Sequence, residues 1–181
     1  DEDFDNDIIG EYSGAGDLFG VTGGVMEAAL RTVYHILTGK EREAITFESV
    51  RGFEGVREAS IKINDLTVNV AIAHGMKNAK VLLDEIRAGT SKYHFIEIMG
   101  CPGGCINGGG QPIVSPTVRE DVDVKGLRAK ALYDEDAALS VRKSHELPAI
   151  TKLYDEYFGK PNSHKAHELL HTTYTARKKY N

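Results

Sequence analysis

The segment LTVNVAIAHGMKNAKVLLDEIRAGTSKYHFIEIM, residues 66–99, decides the fold. Residues 66–73 are predicted to form a strand, and its apolar second half indicates burial on both faces, as in a parallel sheet. Residues 77–89 repeat apolar side chains at helical spacing and end in Gly89, and residues 93–99 are again typical of a strand. Strand, helix and strand in this order predict a parallel crossover unit, and hence an α/β fold in which helices flank a parallel sheet.

The residues on either side of this unit extend the same lobe. Residues 25–39 have helical periodicity, and residues 60–64 indicate a short strand that precedes a turn. After Pro116 the sequence changes to polar helical segments. We therefore predict two parts: residues 1–116 form a lobe around the sheet, and residues 117–181 form a helical extension that wraps the core.

The composition narrows the class of partner. The 181 residues carry a net charge of −5, which argues against nucleic acid or an anionic membrane as a partner. No apolar run approaches the roughly 18 residues of a membrane helix, so we expect no membrane span. No signal-peptide pattern is present, so we expect a cytoplasmic location. Because the chain begins at Asp1 rather than at a methionine, we expect a processed chain or the later part of a longer protein.

The residues MGCPGGCINGGGQP, numbers 99–112, follow the last predicted strand and contain both cysteines of the chain, Cys101 and Cys105. In open α/β sheets, ligands bind outside the carboxyl ends of the strands, so this position predicts a ligand site. A loop so rich in glycine loses much conformational entropy on folding, which indicates that its conformation serves a purpose.

Three interpretations of the two cysteines remain open from the residues alone: buried residues of a structural loop, a redox dithiol, or thiolate ligands of a metal centre. A redox dithiol usually has the spacing C-x-x-C, which this loop lacks. Zinc and iron–sulfur clusters require about four protein ligands, so half of a metal site would come from elsewhere. No histidine lies within the loop, since His94 belongs to the preceding strand and His74 ends another. The glycines favour a cluster, because a bulky inorganic core needs close backbone approach.

Residues 99–112 resemble the last cluster-binding motif of the iron-only (FeFe) hydrogenases. FGVTGGVMEAALR, residues 19–31, resembles a second motif of that family. KSHELPAITKLYDEYFGKP, residues 143–161, resembles the helical C-terminal belt of its members, together with the AHELLH that follows. The resemblance therefore extends over essentially the whole chain, and it implies one lobe of the hydrogenase catalytic domain followed by a small-subunit-like extension.

The resemblance implies a reaction and a cofactor. The family reversibly forms hydrogen from protons and electrons at the H-cluster, a 4Fe–4S cubane linked to a di-iron unit with CO, CN and a dithiolate bridge. By resemblance, Cys101 is a cubane ligand, Cys105 binds the cubane and bridges it to the di-iron unit, and Met99 packs against that unit. Cys105 and Met99 are thus the implied catalytic residues. The implied cofactor pocket consists of Phe19, Gly20, Gly23, Gly24, Met99, Gly103 and Gly104.

The family's other two cubane cysteines belong to upstream motifs, and this sequence contains neither motif. We therefore expect this chain to be the C-terminal lobe of a larger hydrogenase, or one piece of a split one, and to be inactive alone. Its expected partners are the missing N-terminal lobe, and a ferredoxin or similar electron carrier. Two alternatives are a hydrogenase-like scaffold for iron–sulfur assembly and a sensory hydrogenase with low turnover. We expect a C-terminal tryptophan in the scaffold proteins, whereas this chain has no tryptophan.

Two further stretches resemble known motifs only in part. HELLH, residues 167–171, matches H-E-x-x-H, in which His167 and His171 would bind zinc and Glu168 would act as the base. The residues after it supply no third ligand, so an ordinary C-terminal helix is the favoured interpretation. GAGDLFG, residues 14–20, is one residue longer than the dinucleotide fingerprint, and we expect its glycines to line the cluster cavity instead.

Overall fold

The computed structural model of the chain describes residues 12–40 and 46–178. Residues 12–144 form one compact unit, and the described residues from His145 onward belong to a second. The first eleven residues of the predicted lobe lie outside the described part of the chain. The division predicted after residue 116 stays a prediction.

The sheet has three strands in the order β1-β2-β3, namely β1 (Val56–Ile63), β2 (Leu66–His74) and β3 (Phe95–Met99). β2 and β3 are parallel, as the crossover prediction requires, whereas β1 pairs antiparallel with β2. The antiparallel pairing follows from a two-residue turn between Ile63 and Leu66, in which Asn64 adopts a positive φ of 54°. The predicted α/β class with flanking helices is confirmed, in the form of a mixed sheet.

Helices cover both faces of β2. Besides a short helix α1 (Gly14–Asp17), this unit contains α2 (Gly24–Thr38), α3 (Met76–Ala88), α4 (Pro116–Asp121) and α5 (Val124–Ala138). Met26 and Leu30 of α2 join a buried cluster with residues from one face of the sheet, including Val70 and Ile72. Leu82 of α3 packs with Ala71 and Ala73 on the other face. Burial of β2 on both faces explains why its sequence is apolar without alternation.

A buried ion network connects α5 to α2. Arg31 donates to both carboxylate oxygens of Asp136, at 2.6 and 2.9 Å, and to Glu27 at 2.8 Å. Arg142 also donates to Asp136, at 2.6 Å. Burial acts to raise the pKa of Asp136, but the hydrogen bonds from the two arginines outweigh it and lower that pKa below its usual value. The network therefore ties the first long helix of the predicted extension firmly to the lobe.

The second unit contains short helices. Its helices are α6 (Pro148–Leu153), which continues into a π-helical turn (Tyr154–Phe158), and α7 (His164–Leu170). The hydroxyl of Ser163 accepts a hydrogen bond from the amide of Ala166 and caps the start of α7. No helix among the described residues is both long enough and apolar enough to cross a membrane.

Candidate functional site

The cysteine loop leaves the sheet at the carboxyl end of β3. Met99 is the last residue of that strand, and in the parallel register it lies opposite His74, the last residue of β2. Cys101 and Cys105 are both exposed and unpaired, while Gly103 and Gly104 between them are buried. The loop therefore presents two free thiols at the surface on a backbone that is anchored inside the lobe.

Gly104 is the tightest point of this loop. Its φ of 98° and ψ of −167° belong to a region that only glycine adopts readily. An added Cβ would lie 2.7 Å from the carbonyl oxygen of Gly20 and 2.8 Å from the amide nitrogen of Thr22. Glycine is thus required here because two stretches of backbone touch.

The cysteine loop and the Gly20–Thr22 backbone are also joined by a hydrogen bond. The amide of Thr22 donates to the carbonyl oxygen of Gly103 at 3.1 Å. Phe19 lies half-exposed just before this contact, in a short 3₁₀ turn (Leu18–Gly20). The structure therefore brings together two of the three stretches that carry the family resemblance, residues 19–31 and 99–112, although they are far apart in the chain.

The predicted pocket glycines Gly23 and Gly24 stand at the start of α2. An added Cβ on Gly23 would meet the carbonyl oxygen of Val50 at 2.1 Å, and one on Gly24 would meet that of Leu18 at 1.6 Å. Close packing within the lobe explains why both positions are glycine. Their contribution to enclosing a cofactor stays a prediction.

Glu97 on β3 connects the strand before the cysteines to the N-terminus of α2. Its buried carboxylate accepts hydrogen bonds from the amides of Gly23, at 2.6 Å, and Met26, at 2.7 Å. Burial raises the pKa of Glu97, while the two amides and the nearby Arg57 oppose that rise. A negative charge at a helix N-terminus is favourable, so Glu97 fixes α2 against β3.

Arg57 binds the backbone carbonyl of Thr22, the residue whose amide donates to the cysteine loop. This buried guanidinium donates to the carbonyl oxygens of Thr22 and Val50, at 3.1 and 3.2 Å. It also donates to the carbonyl oxygens of Gly52 and Glu54, at 2.6 and 3.1 Å. One side chain thus satisfies four backbone carbonyls near the contact, which rigidifies the surface on which the cysteine loop rests.

The far end of the cysteine loop is held by α5. Arg128 donates to the carbonyl oxygens of Ile106 and Pro112, both at 2.9 Å. Within the loop, the side-chain amide of Asn107 donates to the carbonyl oxygen of Pro102 at 3.1 Å. These bonds constrain the loop on both sides of Cys105, the second cysteine.

Met99 is half-buried at the end of β3, and its carbonyl oxygen accepts a hydrogen bond from the amide of Gly75 at 2.8 Å. This bond joins the ends of the two parallel strands directly beside the cysteine loop. The position is compatible with the predicted pocket wall. The catalytic roles of Met99 and Cys105 stay predictions.

The contact of His74 with the cysteine loop was not predicted from the sequence, because this residue lies on another strand. In the structure, Nδ1 of buried His74 accepts a hydrogen bond from the amide of Gly103. The predicted parallel pairing of the two strands could have indicated this contact, because it places the carboxyl ends of the strands side by side.

The partial motifs take ordinary places in the fold. His167 and His171 are exposed neighbours, with their Nδ1 atoms 2.5 Å apart. Within residues 12–40 and 46–178, no three His, Cys, Asp or Glu side chains are grouped so as to hold a metal ion. Gly14 packs against Asp136, whose Oδ1 atom would lie 2.2 Å from an added Cβ, so close packing explains this glycine of the GAGDLFG stretch.

The two cysteine thiols fit an iron–sulfur site whose other ligands come from elsewhere. Two exposed thiols supply the soft ligands that such clusters prefer. An added Cβ on Gly108 would lie 3.6 Å from the Sγ atom of Cys101, so this glycine keeps the space beside that sulfur free. Because a cubane needs about four thiolates, the remaining ligands must come from outside this chain's two cysteines.

The geometry so far defines an α/β lobe that presents half of a thiolate site. The family described as iron only hydrogenase large subunit, C-terminal domain, matches residues 1–109, and the family described as iron hydrogenase small subunit matches residues 122–177. The chain belongs to the first of these families, that of the C-terminal domain of the iron-only hydrogenase large subunit.

Similar proteins are named hydrogenases. Iron hydrogenase 1 of Clostridium pasteurianum is 50% identical over 92% of this chain and 29% of its own length. The NADP-reducing hydrogenase subunit HndD of Solidesulfovibrio fructosivorans is 48% identical over 99% of this chain and 30% of its own length. A solved structure of FeFe-hydrogenase HydA1 from Chlamydomonas reinhardtii, in a variant form, is 41% identical with a TM-score of 0.67, over 97% of this chain and 50% of that chain.

This chain therefore spans about 30% of the length of the two hydrogenases compared by sequence. More distant relatives, 27% and 28% identical, carry names of cytosolic iron–sulfur assembly proteins. Both groups of relatives match about 90% of this chain or more.

Proposed function

We propose that this chain is one lobe of an iron-only hydrogenase that reversibly forms hydrogen from protons and electrons at the H-cluster. The observation that carries the proposal is the docking of the cysteine loop on the Gly20–Thr22 backbone, which joins two of the three stretches of family resemblance, residues 19–31 and 99–112, into one site. The activity belongs to the complete protein, because a missing N-terminal lobe has to supply the other two cubane thiolates.

Five residues of the loop have proposed roles. Cys101 would hold the cubane as a thiolate, and Cys105 would hold both the cubane and the di-iron unit as a thiolate. The bound cofactor supplies the hydrogen chemistry, whereas the protein supplies position, exclusion of water and electronic tuning. Met99 contributes an apolar, polarisable wall, and the buried Gly103 and Gly104 let the backbone approach closely.

The proposal is tested by Cys105→Ala in the complete protein. The matched control is Ile113→Ala, because Ile113 is 99% exposed and lies just beyond the same loop. We expect Cys105→Ala to abolish incorporation of the di-iron unit and hydrogen turnover, and the control to retain both. Normal hydrogen turnover by Cys105→Ala would show that the assignment is wrong.

Two further parts of the proposal concern the cell. The complete protein exchanges electrons with a ferredoxin or a similar carrier, because one-electron delivery suits an iron–sulfur entry site. The proposed location of the complete protein is the cytoplasm.

A second candidate function is a scaffold for iron–sulfur assembly, supported by the more distant relatives with assembly names. The higher identity to named hydrogenases favours the first candidate. A sensory hydrogenase would share this lobe as well. Gas-exchange activity of the complete protein separates these functions, because a scaffold has none and a sensor turns over slowly.

A further inference from the structure

His74 is a buried polar residue that contacts the middle of the cysteine loop. It ends β2, is 6% exposed, and lies opposite Met99 in the parallel register. Its Nδ1 atom accepts the amide hydrogen of Gly103, the residue midway between the two cysteines.

This contact determines which ring nitrogen carries the proton. Since Nδ1 accepts from an amide, the neutral ring holds its proton on Nε2. The Nε2 atom is buried and has no hydrogen-bond partner among the described residues. A buried donor without a partner lowers the stability of the fold. An apolar side chain at position 74 would therefore give a more stable fold, unless the acceptor at Nδ1 is needed. The ring is thus retained despite a cost, which indicates a specific task for Nδ1.

The task concerns the orientation of Gly103. This glycine has a positive φ of 89°, its amide donates to His74, and its carbonyl oxygen accepts from Thr22. Both polar backbone groups of the residue are therefore fixed from opposite sides. Because Gly103 stands two positions from each cysteine, the orientation of its backbone sets the direction in which both thiols leave the loop.

We propose that His74 is a positioning residue for the two cysteine ligands, which acts by accepting the Gly103 amide hydrogen at Nδ1. This inference rests on the proposed function, because it concerns the geometry of the thiolates that would bind the cubane. His74 does not touch the reacting atoms. It fixes the loop from which Cys101 and Cys105 project.

The test uses the complete protein carrying the cubane alone, without the di-iron unit. His74→Asn keeps an acceptor, because Oδ1 of asparagine is as many bonds from the backbone as Nδ1 of histidine. His74→Leu removes the acceptor, and His74→Gln moves the side-chain amide one carbon further out. The control is His94→Leu, because Nδ1 of His94 also accepts a backbone amide hydrogen, from Asn69 at 3.0 Å, away from the cysteine loop.

The readouts are iron per protein, the midpoint potential of the cubane, its electron paramagnetic resonance spectrum in the reduced state, and thermal unfolding. We expect the wild type, His74→Asn and His94→Leu to share one spectrum and one potential. We expect His74→Gln and His74→Leu to show a shifted spectrum and at least a twofold loss of bound iron. If His74→Leu does not fold, the test rests on comparing the spectrum, potential and bound iron of His74→Asn with those of His74→Gln. Both of these variants carry polar side chains of the same chemical type.

Two results would overturn the role of His74: a wild-type spectrum and potential in His74→Gln and His74→Leu, or equal disturbance in His74→Asn and His74→Gln. Either result leaves the proposed function standing, because the wild type still holds its cubane. The absence of any cubane signal in the wild type would instead contradict the proposed function, and the role of His74 with it.

Discussion

The amide of Thr22 donates to the carbonyl oxygen of Gly103 at 3.1 Å, and this bond joins the start of the lobe to the loop that carries both cysteines. The same two stretches touch at Gly104, where no side chain fits. The site is therefore a contact between two backbones, and its geometry depends on groups that lie behind them in the lobe.

The first prediction concerns Gly104→Ala. The new methyl group would lie 2.7 Å from Gly20 O and 2.8 Å from Thr22 N, on a backbone conformation that alanine does not adopt readily. We expect a loss of about 2–4 kcal/mol in the free energy of unfolding, since strain and a backbone clash act together. Urea denaturation measures the change. Gly109→Ala is the control, because nothing lies within 4 Å of an added Cβ there.

The second prediction concerns Glu97→Gln. Gly23 and Met26 donate to different carboxylate oxygens, and glutamine replaces one of these oxygens with an NH2 group that cannot accept. We expect a loss of about 1–3 kcal/mol in the free energy of unfolding, because one of the two buried backbone amides is left without a partner. Glu120→Gln on the exposed helix α4 is the control, and it should leave the unfolding free energy unchanged.

Glu97 also predicts a pH dependence. Burial raises its pKa in the folded protein above the ordinary value of 4.5, so the folded state holds this proton to higher pH than the unfolded chain. The contribution of Glu97 to the unfolding free energy therefore falls as the pH rises from 4.5 through the raised pKa. In unfolding titrations, the free energy of unfolding of the wild type should fall relative to that of Glu97→Gln over this pH range. An equal decline in both proteins would contradict the assignment.

The third prediction concerns Asp136→Asn. This change removes one of the charged partners of the buried Arg31 guanidinium, which also pairs with Glu27, so we expect a loss of about 3–5 kcal/mol in the free energy of unfolding. Because the folded pKa of Asp136 lies below the ordinary value of 3.8, its stabilising contribution is present above that pH and is lost as the pH falls through the folded pKa. Acid unfolding followed by circular dichroism measures both effects. Asp134→Asn, on the exposed face of the same helix, should change neither.

The strand–helix–strand unit could be predicted closely from the sequence. The predicted strand 66–73 is β2 (Leu66–His74), the predicted helix 77–89 is α3 (Met76–Ala88), and the predicted strand 93–99 contains β3 (Phe95–Met99). These elements follow from hydrophobic periodicity and from a glycine at the helix end, both of which are local properties.

The supports of the site could not be predicted in this way. The contacts of His74, Glu97 and Arg57 with the site all join residues from different elements, so local periodicity contains no trace of them. The predicted strand 60–64 also begins earlier, at Val56, because pairing with β2 extends it. The cysteine motif itself was recognisable because a close backbone approach demands glycine at fixed positions.

The central claim is that Cys101 and Cys105 bind an iron cluster that this lobe shares with a second lobe. The most direct measurement is a crystal structure of the complete protein with anomalous scattering recorded at the iron edge. We predict iron within bonding distance of the Sγ atoms of both cysteines, with the remaining thiolates contributed from outside this chain. An iron-free cysteine loop, or a metal bound by His167 and His171 in its place, would contradict the account.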